Sequence, residues 1–241
     1  MNPEKATTSS TQVRHTLRIW GLVFTLLCGT FSAAVAADAT VIGLSGTMLV
    51  PGLEVMAPGT ARGAFHFVGN EVEHEASLKG VFAYNDDTEI AVMKRFVTGR
   101  GKDQYDPVFA AKFKVRPNLA LAGVIDTTVG YKDSVMLLTG VPGNRVVLGV
   151  GANIAMEATE RYAHFGRYED PKSEVDPLFF IMGADIHVDD DTDVTLDYTG
   201  NDFVLGLRHR FNEVMAADFG YFTPDRLREE SRYCLGLNFG F

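Results

Sequence analysis

Apolar side chains in this sequence fall on every second position, in runs of about ten residues, almost to the last residue. The final run is the clearest: Tyr233, Leu235, Leu237, Phe239 and Phe241 alternate with Cys234, Gly236, Asn238 and Gly240. Before it, Phe203, Leu205, Leu207 and Phe211 alternate with Val204, Gly206, Arg208 and Arg210. Upstream, Phe109, Ala111, Phe113 and Val115 alternate with Ala110, Lys112 and Lys114. A period of two puts such residues on one face of a strand. The pattern predicts about twelve strands, near 62–69, 75–84, 88–97, 107–115, 118–127, 133–141, 145–155, 177–188, 192–199, 202–211, 214–222 and 232–241. Short turns such as Asn85-Asp86-Asp87, Arg116-Pro117-Asn118 and Asp189-Asp190-Asp191 alternate with mostly longer loops, such as 98–106 and 156–176. That is the connectivity of an antiparallel up-and-down meander, which must close on itself or leave two exposed edges.

Closed barrels exist in water and in membranes, and face composition separates them. A membrane barrel turns aliphatic and aromatic residues to lipid and small or polar ones to the lumen. The second face here is rich in Gly, Ala, Asp, Lys and Arg, which suits a narrow hydrated interior. Runs of about ten residues match what a tilted transmembrane strand needs. An even strand number with short turns at one end and long loops at the other is the bacterial outer-membrane pattern. The fold expected is all-β: a closed antiparallel transmembrane β-barrel of about twelve strands over residues 61–241.

The terminus Cys234-x-Gly236-x-x-Phe239-x-Phe241 resembles the C-terminal signal of outer-membrane barrels. The resemblance implies recognition of Gly236, Phe239 and Phe241 by the outer-membrane barrel assembly machinery. At the other end, Lys5, Arg14 and Arg18 precede an apolar run from Ile19 to Phe31 and a small-residue exit, Ala34-Val35-Ala36. A basic start, apolar middle and A-x-A exit make a secretory signal peptide over residues 1–36. Its removal takes away three Lys/Arg and one Asp/Glu, leaving 205 residues with a formal charge of −11, no tryptophan and a lone Cys234. Beyond the leader no stretch approaches eighteen consecutive apolar residues, which excludes a helical membrane protein. The acidic balance argues against a nucleic-acid partner.

Residues 37–60 fall between leader and barrel. Gly43, Leu44, Gly46, Pro51, Glu54, Val55, Pro58 and Gly59 resemble the opening of YjbH-like outer-membrane proteins, over roughly thirty residues. Gly52-Leu53 departs from the expected small hydroxyl–alanine pair, the chain is shorter than the long members, and it lacks a lipid-anchor cysteine. The resemblance implies an association with exopolysaccharide production or export. With twelve strands already closing the barrel, this stretch is expected to fold into the lumen or across the periplasmic opening as a plug. The alternative is a wall strand near 41–50, with one strand fewer elsewhere, such as 133–141.

Chemistry is sparse. The histidines form no zinc-type His-x-Glu-x-x-His pair. Asp189-x-Asp191-x-Asp193 lacks the glycine and glutamate of a calcium loop, and Gly99-Arg100-Gly101-Lys102 lacks the spacer of a phosphate loop. No metal, cofactor or catalytic set is expected. Lys112, Lys114, Arg208 and Arg210 would each cost about 2–4 kcal/mol facing lipid at midplane, so they face the lumen or sit near the rim. With Asp185, His187, Asp197 and Asp218 they form the candidate lumen lining, as opposed charges that either brace a filled barrel or bias a channel. The function expected is a structural or transport-associated outer-membrane barrel, as a passive pore for small solutes or an exopolysaccharide accessory. A lipid-modifying outer-membrane enzyme and a soluble periplasmic barrel binding an apolar ligand are the alternatives.

Overall fold

A computed structural model describes residues 39–40, 43–69, 74–98, 106–141, 145–167, 174–224 and 231–241. The leader, the Gly99–Lys102 stretch and the Pro142–Asn144 turn lie outside them. Twelve strands alternate along the chain: β1 (Ala61–Gly69), β2 (His74–Asn85), β3 (Thr88–Thr98), β4 (Val108–Arg116), β5 (Leu119–Asp126), β6 (Asp133–Gly140), β7 (Val146–Ile154), β8 (Leu178–Asp189), β9 (Thr192–Tyr198), β10 (Asp202–Asn212), β11 (Met215–Pro224) and β12 (Arg232–Gly240). Each pairs antiparallel with its chain neighbour, and β1 pairs with β12 to close the barrel. Closure satisfies the edge amides that an open meander would leave bare. The strand over 133–140 is part of the wall, so the reading that removes it is corrected.

The start of β1, the end of β12 and the short turns lie at one end; the connections β3–β4, β5–β6 and β7–β8 lie at the other. Register shifts fall at Ala83/Asn85, Lys114/Arg116, His187/Asp189 and Arg210/Asn212, all at the short-turn end. The extra residue there bends the strand into its turn.

Residues 43–58 do not join the wall. The preceding chain turns at Gly43, with φ +101°, and residues 39–52 fold on themselves through Ala39 opposite Ser45 and Gly46 opposite Pro51. Thr47 N donates to Val50 O at 3.1 Å and Gly52 N to Ser45 O at 2.9 Å. A Cβ on Gly46 would run into this tight loop, which is why the position is glycine. Gly59 and Thr60 then join β2 through Ala83, leading into β1.

The barrel interior

Alternation decides which residues meet lipid. Phe113 is 47% exposed, Leu207 42% and Phe239 37%, whereas Lys112, Arg208 and Asn238 are at most 1% exposed. Outward aromatics gather near both ends. Phe67, Phe96, Phe109, Phe180, Tyr198, Phe203, Tyr221 and Tyr233 ring the long-loop end; Phe82, Tyr84, Phe211, Phe239 and Phe241 ring the short-turn end. Leu78, Leu121, Leu137, Val150 and Leu205 form an aliphatic band between them. An apolar belt bounded by two aromatic girdles matches hydrocarbon bounded by two headgroup layers. This is an integral outer-membrane β-barrel.

Inside, the barrel wall has two characters. Ala120, Ala122, Val124, Met136, Leu138, Val147, Phe179 and Ile181, from β5 to β8, form an apolar sector. Beside the Gly, Ala, Asp, Lys and Arg that suggested a narrow hydrated interior, the inner face therefore carries a sector of larger apolar side chains. The apolar sector is covered by Leu44, Val50, Leu53 and Met56 of the N-terminal segment, which join it in one buried cluster. The remaining strands set buried charges among apolar residues such as Val81, Met93 and Val108, and those charges bind the same segment through its backbone.

Three seats hold it. On β3 and β4, the cross-strand partners Glu89 and Lys112 lie 3.2 Å apart. Glu89 accepts from Ser45 N at 3.0 Å, Met56 N at 3.2 Å and the Ser45 hydroxyl, while Lys112 donates to Ser45 O at 3.0 Å and Glu54 O at 2.7 Å. On β9, Asp197 accepts from Leu49 N at 2.7 Å and from the Thr47 hydroxyl. Gly183, opposite Asp197, leaves the room that Thr47 and Val50 occupy. On β10, Arg208 donates to Gly46 O at 3.1 Å and Thr47 O at 3.4 Å and binds Asp218 of β11 at 2.7 Å. Asp218 is also held by His66 at 3.0 Å and Asn238 at 2.8 Å; Lys79 reaches His66 at 2.8 Å and Thr40 O at 3.3 Å. Met48 lies against Gly206 and Gly220, where side chains would collide with it.

All eight lumen candidates lie on the inward face, and Arg208 and Asp218 pair with each other. Lys112 pairs with Glu89, and Lys114 pairs with Glu54 of the segment. Arg210 and His187 meet at Asp193, 2.7 and 3.1 Å away, with Arg145 on the same carboxylate. Asp197 serves the segment. Among the described residues, Asp185 keeps one buried oxygen with no hydrogen-bond partner. The opposed charges meet in local groups, the largest of them around Asp193 and Asp218. Glu89, His66, Lys79 and Asp193 complete the site and were not anticipated, although His66 lies between outward Phe65 and Phe67 and the others each have one outward apolar neighbour, Ile90, Leu78 and Val194. Gly236 points inward, where a Cβ would collide with the His66 ring; Phe239 and Phe241 point outward.

No family model matches the chain, and no curated protein sequence does. Among solved structures it is similar to the KdgM porin, at 10% identity and TM-score 0.49, over 75% of this chain and 99% of that one. It is also similar to Acinetobacter baumannii Omp33, at 13% identity and TM-score 0.40, over 79% of this chain and all of that one. At these scores the interior is read from this chain's own residues.

Proposed function

We propose that this protein is a barrel closed at rest, in which residues 37–60 act as a resident plug and any transport requires their displacement. The observation that carries the reading is the triple seating of the segment on Glu89–Lys112, Asp197 and Arg208. A buried charge is tolerated when paired and hydrogen-bonded, and the segment supplies many of those partners. Withdrawing it would also wet the β5–β8 apolar sector, at about 25 cal/mol per Å². Of the two sequence readings, a braced interior is therefore favoured over a passively open pore.

The role is read as non-catalytic. His66, His164 and His187 are each taken up by a carboxylate, and Ser134 donates to Asn153 at 2.7 Å. YjbH-like character belongs to the same proposal. Gly43, Gly46 and Pro51, which carry that likeness, shape the inner loop. The exopolysaccharide-accessory reading is favoured by one observation: Glu89 and Asp197 each accept a hydroxyl from the segment, a bond that a polyhydroxylated chain could replace. The terminal signal Gly236, Phe239 and Phe241 is proposed as the handle for the assembly machinery.

The test is reconstitution of the full mature chain carrying Met48→Cys. A seated plug gives heat-modifiable barrels without steady current in planar bilayers, and a thiol at 48 that reacts with an impermeant maleimide only after unfolding. Ohmic steps with rapid native labelling would refute the reading.

A further inference from the structure

The described residues of the long β7–β8 connection, 155–167 and 174–177, fold inward against the two connections that flank it at the loop end. Its described residues include three that are almost wholly buried, Ala163, Phe165 and Val175. On one side it docks on the β5–β6 connection. Arg161 N and Tyr162 N both donate to Gly130 O, and Lys132 N donates to Tyr162 O at 2.7 Å. His164 binds Asp126 at 2.9 Å, and Asp126 also binds Arg95, which stacks on the Tyr131 ring. On the other side Gly166 N donates to Thr199 O at 2.9 Å, and Gly200 lies so close to Gly166 that a Cβ on it would sit 2.9 Å from Gly166 Cα. From below, Asn153 of β7 donates to Phe165 O at 2.8 Å and Asp176 O at 2.9 Å. Phe165 turns down onto Phe179, with 5.3 Å between ring centroids. That places it in the same buried apolar cluster as Leu44, Val50 and Leu53 of the plug segment.

A solvated loop needs none of this. Ordering a loop costs backbone entropy, and here that cost is offset by backbone bonds to two other connections and by a buried aromatic. We infer that residues 161–167 of the β7–β8 connection form a lid at the extracellular opening, so that lid and plug are two closures in series and both must be released for the barrel to conduct. The inference rests on the plug reading. Phe165 and the plug side chains share one apolar cluster, so loosening either closure also unpacks part of what the other rests on.

The experiment compares four forms of the full mature chain in planar bilayers. These are the natural sequence, a plug variant, a lid variant and their combination. The plug variant, Ser45→Pro with Leu49→Pro, removes two amides that bind Glu89 and Asp197 and leaves the wall intact; labelling at Met48→Cys verifies its release. The lid variant is His164→Ala with Phe165→Ser. Should that fail to give a heat-modifiable barrel, Asn153→Ala takes its place by cutting both carbonyl ties. Steady current is expected only from the combination, at least tenfold above either variant alone. It should vanish when Tyr131→Cys and Tyr162→Cys, whose rings sit 5.6 Å apart, are oxidised to a cross-link, and return on reduction. Full current from the plug variant alone would overturn the lid while sparing the plug. Full current from the lid variant alone would overturn the plug reading itself. A folded but silent combination would overturn the two closures in series.

Discussion

Arg208→Met tests whether the inner charges are braces or bystanders. The guanidinium is 1% exposed and makes two bonds to Asp218, at 2.7 and 3.2 Å, and two to the carbonyls of Gly46 and Thr47. Methionine fills much of the same volume, so the cavity contribution is small. What remains is a buried carboxylate that keeps only His66 and Asn238, and two plug carbonyls without that donor. Removing one partner of a buried ion pair costs about 3–5 kcal/mol, roughly two to four powers of ten in the folding equilibrium. Urea unfolding in detergent micelles, followed by far-ultraviolet circular dichroism and by gel mobility, reads the change. The mature chain is expected to have no tryptophan, so indole fluorescence is not an option. The companion is Arg208→Met with Asp218→Asn, which removes both charges and should recover at least 1 kcal/mol of the loss. A single-variant loss below about 1 kcal/mol, or a double variant that is additive within about 0.5 kcal/mol, would refute the brace.

Three further outcomes follow from particular contacts. Gly236→Ala drives a methyl into the His66 ring and towards Asp218 Cβ, 3.1 Å away; overpacking of this kind costs about 1–3 kcal/mol, read as a lower urea midpoint. Phe241→Asn leaves the inner network untouched, so reduced levels of assembled barrel in cells with unchanged stability in vitro would support the terminal-signal proposal, and normal levels would count against it. At the loop end, the bond from Lys132 and its charge hold the Glu174 carboxyl below the usual range. Lys132→Met should therefore raise the Glu174 titration midpoint, read by carboxyl-carbon NMR, because the charged form loses its partner.

The wall was legible because a strand in lipid permits few exceptions to alternation. Predicted and observed strands differ by no more than two residues at any end, and the inward direction of Lys112, Arg208 and Asp218 follows from the cost of charge in hydrocarbon. Partners were less legible. Whether Arg208 meets Asp218 or Asp197 depends on register, and the bulges at Ala83/Asn85, Lys114/Arg116, His187/Asp189 and Arg210/Asn212 shift register without a marker in the hydropathy pattern. His66, between outward Phe65 and Phe67, carried the same signal as Lys112 and could have been included on that ground, whereas Glu89, between Thr88 and Ile90, carried only half of it. Phe165 could not. It lies in a connection with no periodicity, and its burial comes from Asn153, Thr199 and Phe179, all distant in sequence or on other strands. The apolar inner sector was hidden for a related reason: Met136 and Leu138 read as members of a two-sided apolar strand until the plug supplies a covering.

A barrel wound from one chain has a single joint that covalent continuity does not hold, between its first strand and its last. The Asp218–His66 bond passes over β12 through the gap left by Gly236, and Lys79 extends it to the second strand, so side chains rivet the joint from within. Parting the first and last strands sideways would therefore mean breaking a buried side-chain hydrogen bond as well as the backbone ladder. During biogenesis that rivet cannot be set until residue 236 has arrived, so the cylinder is sealed only once its twelfth strand is in place.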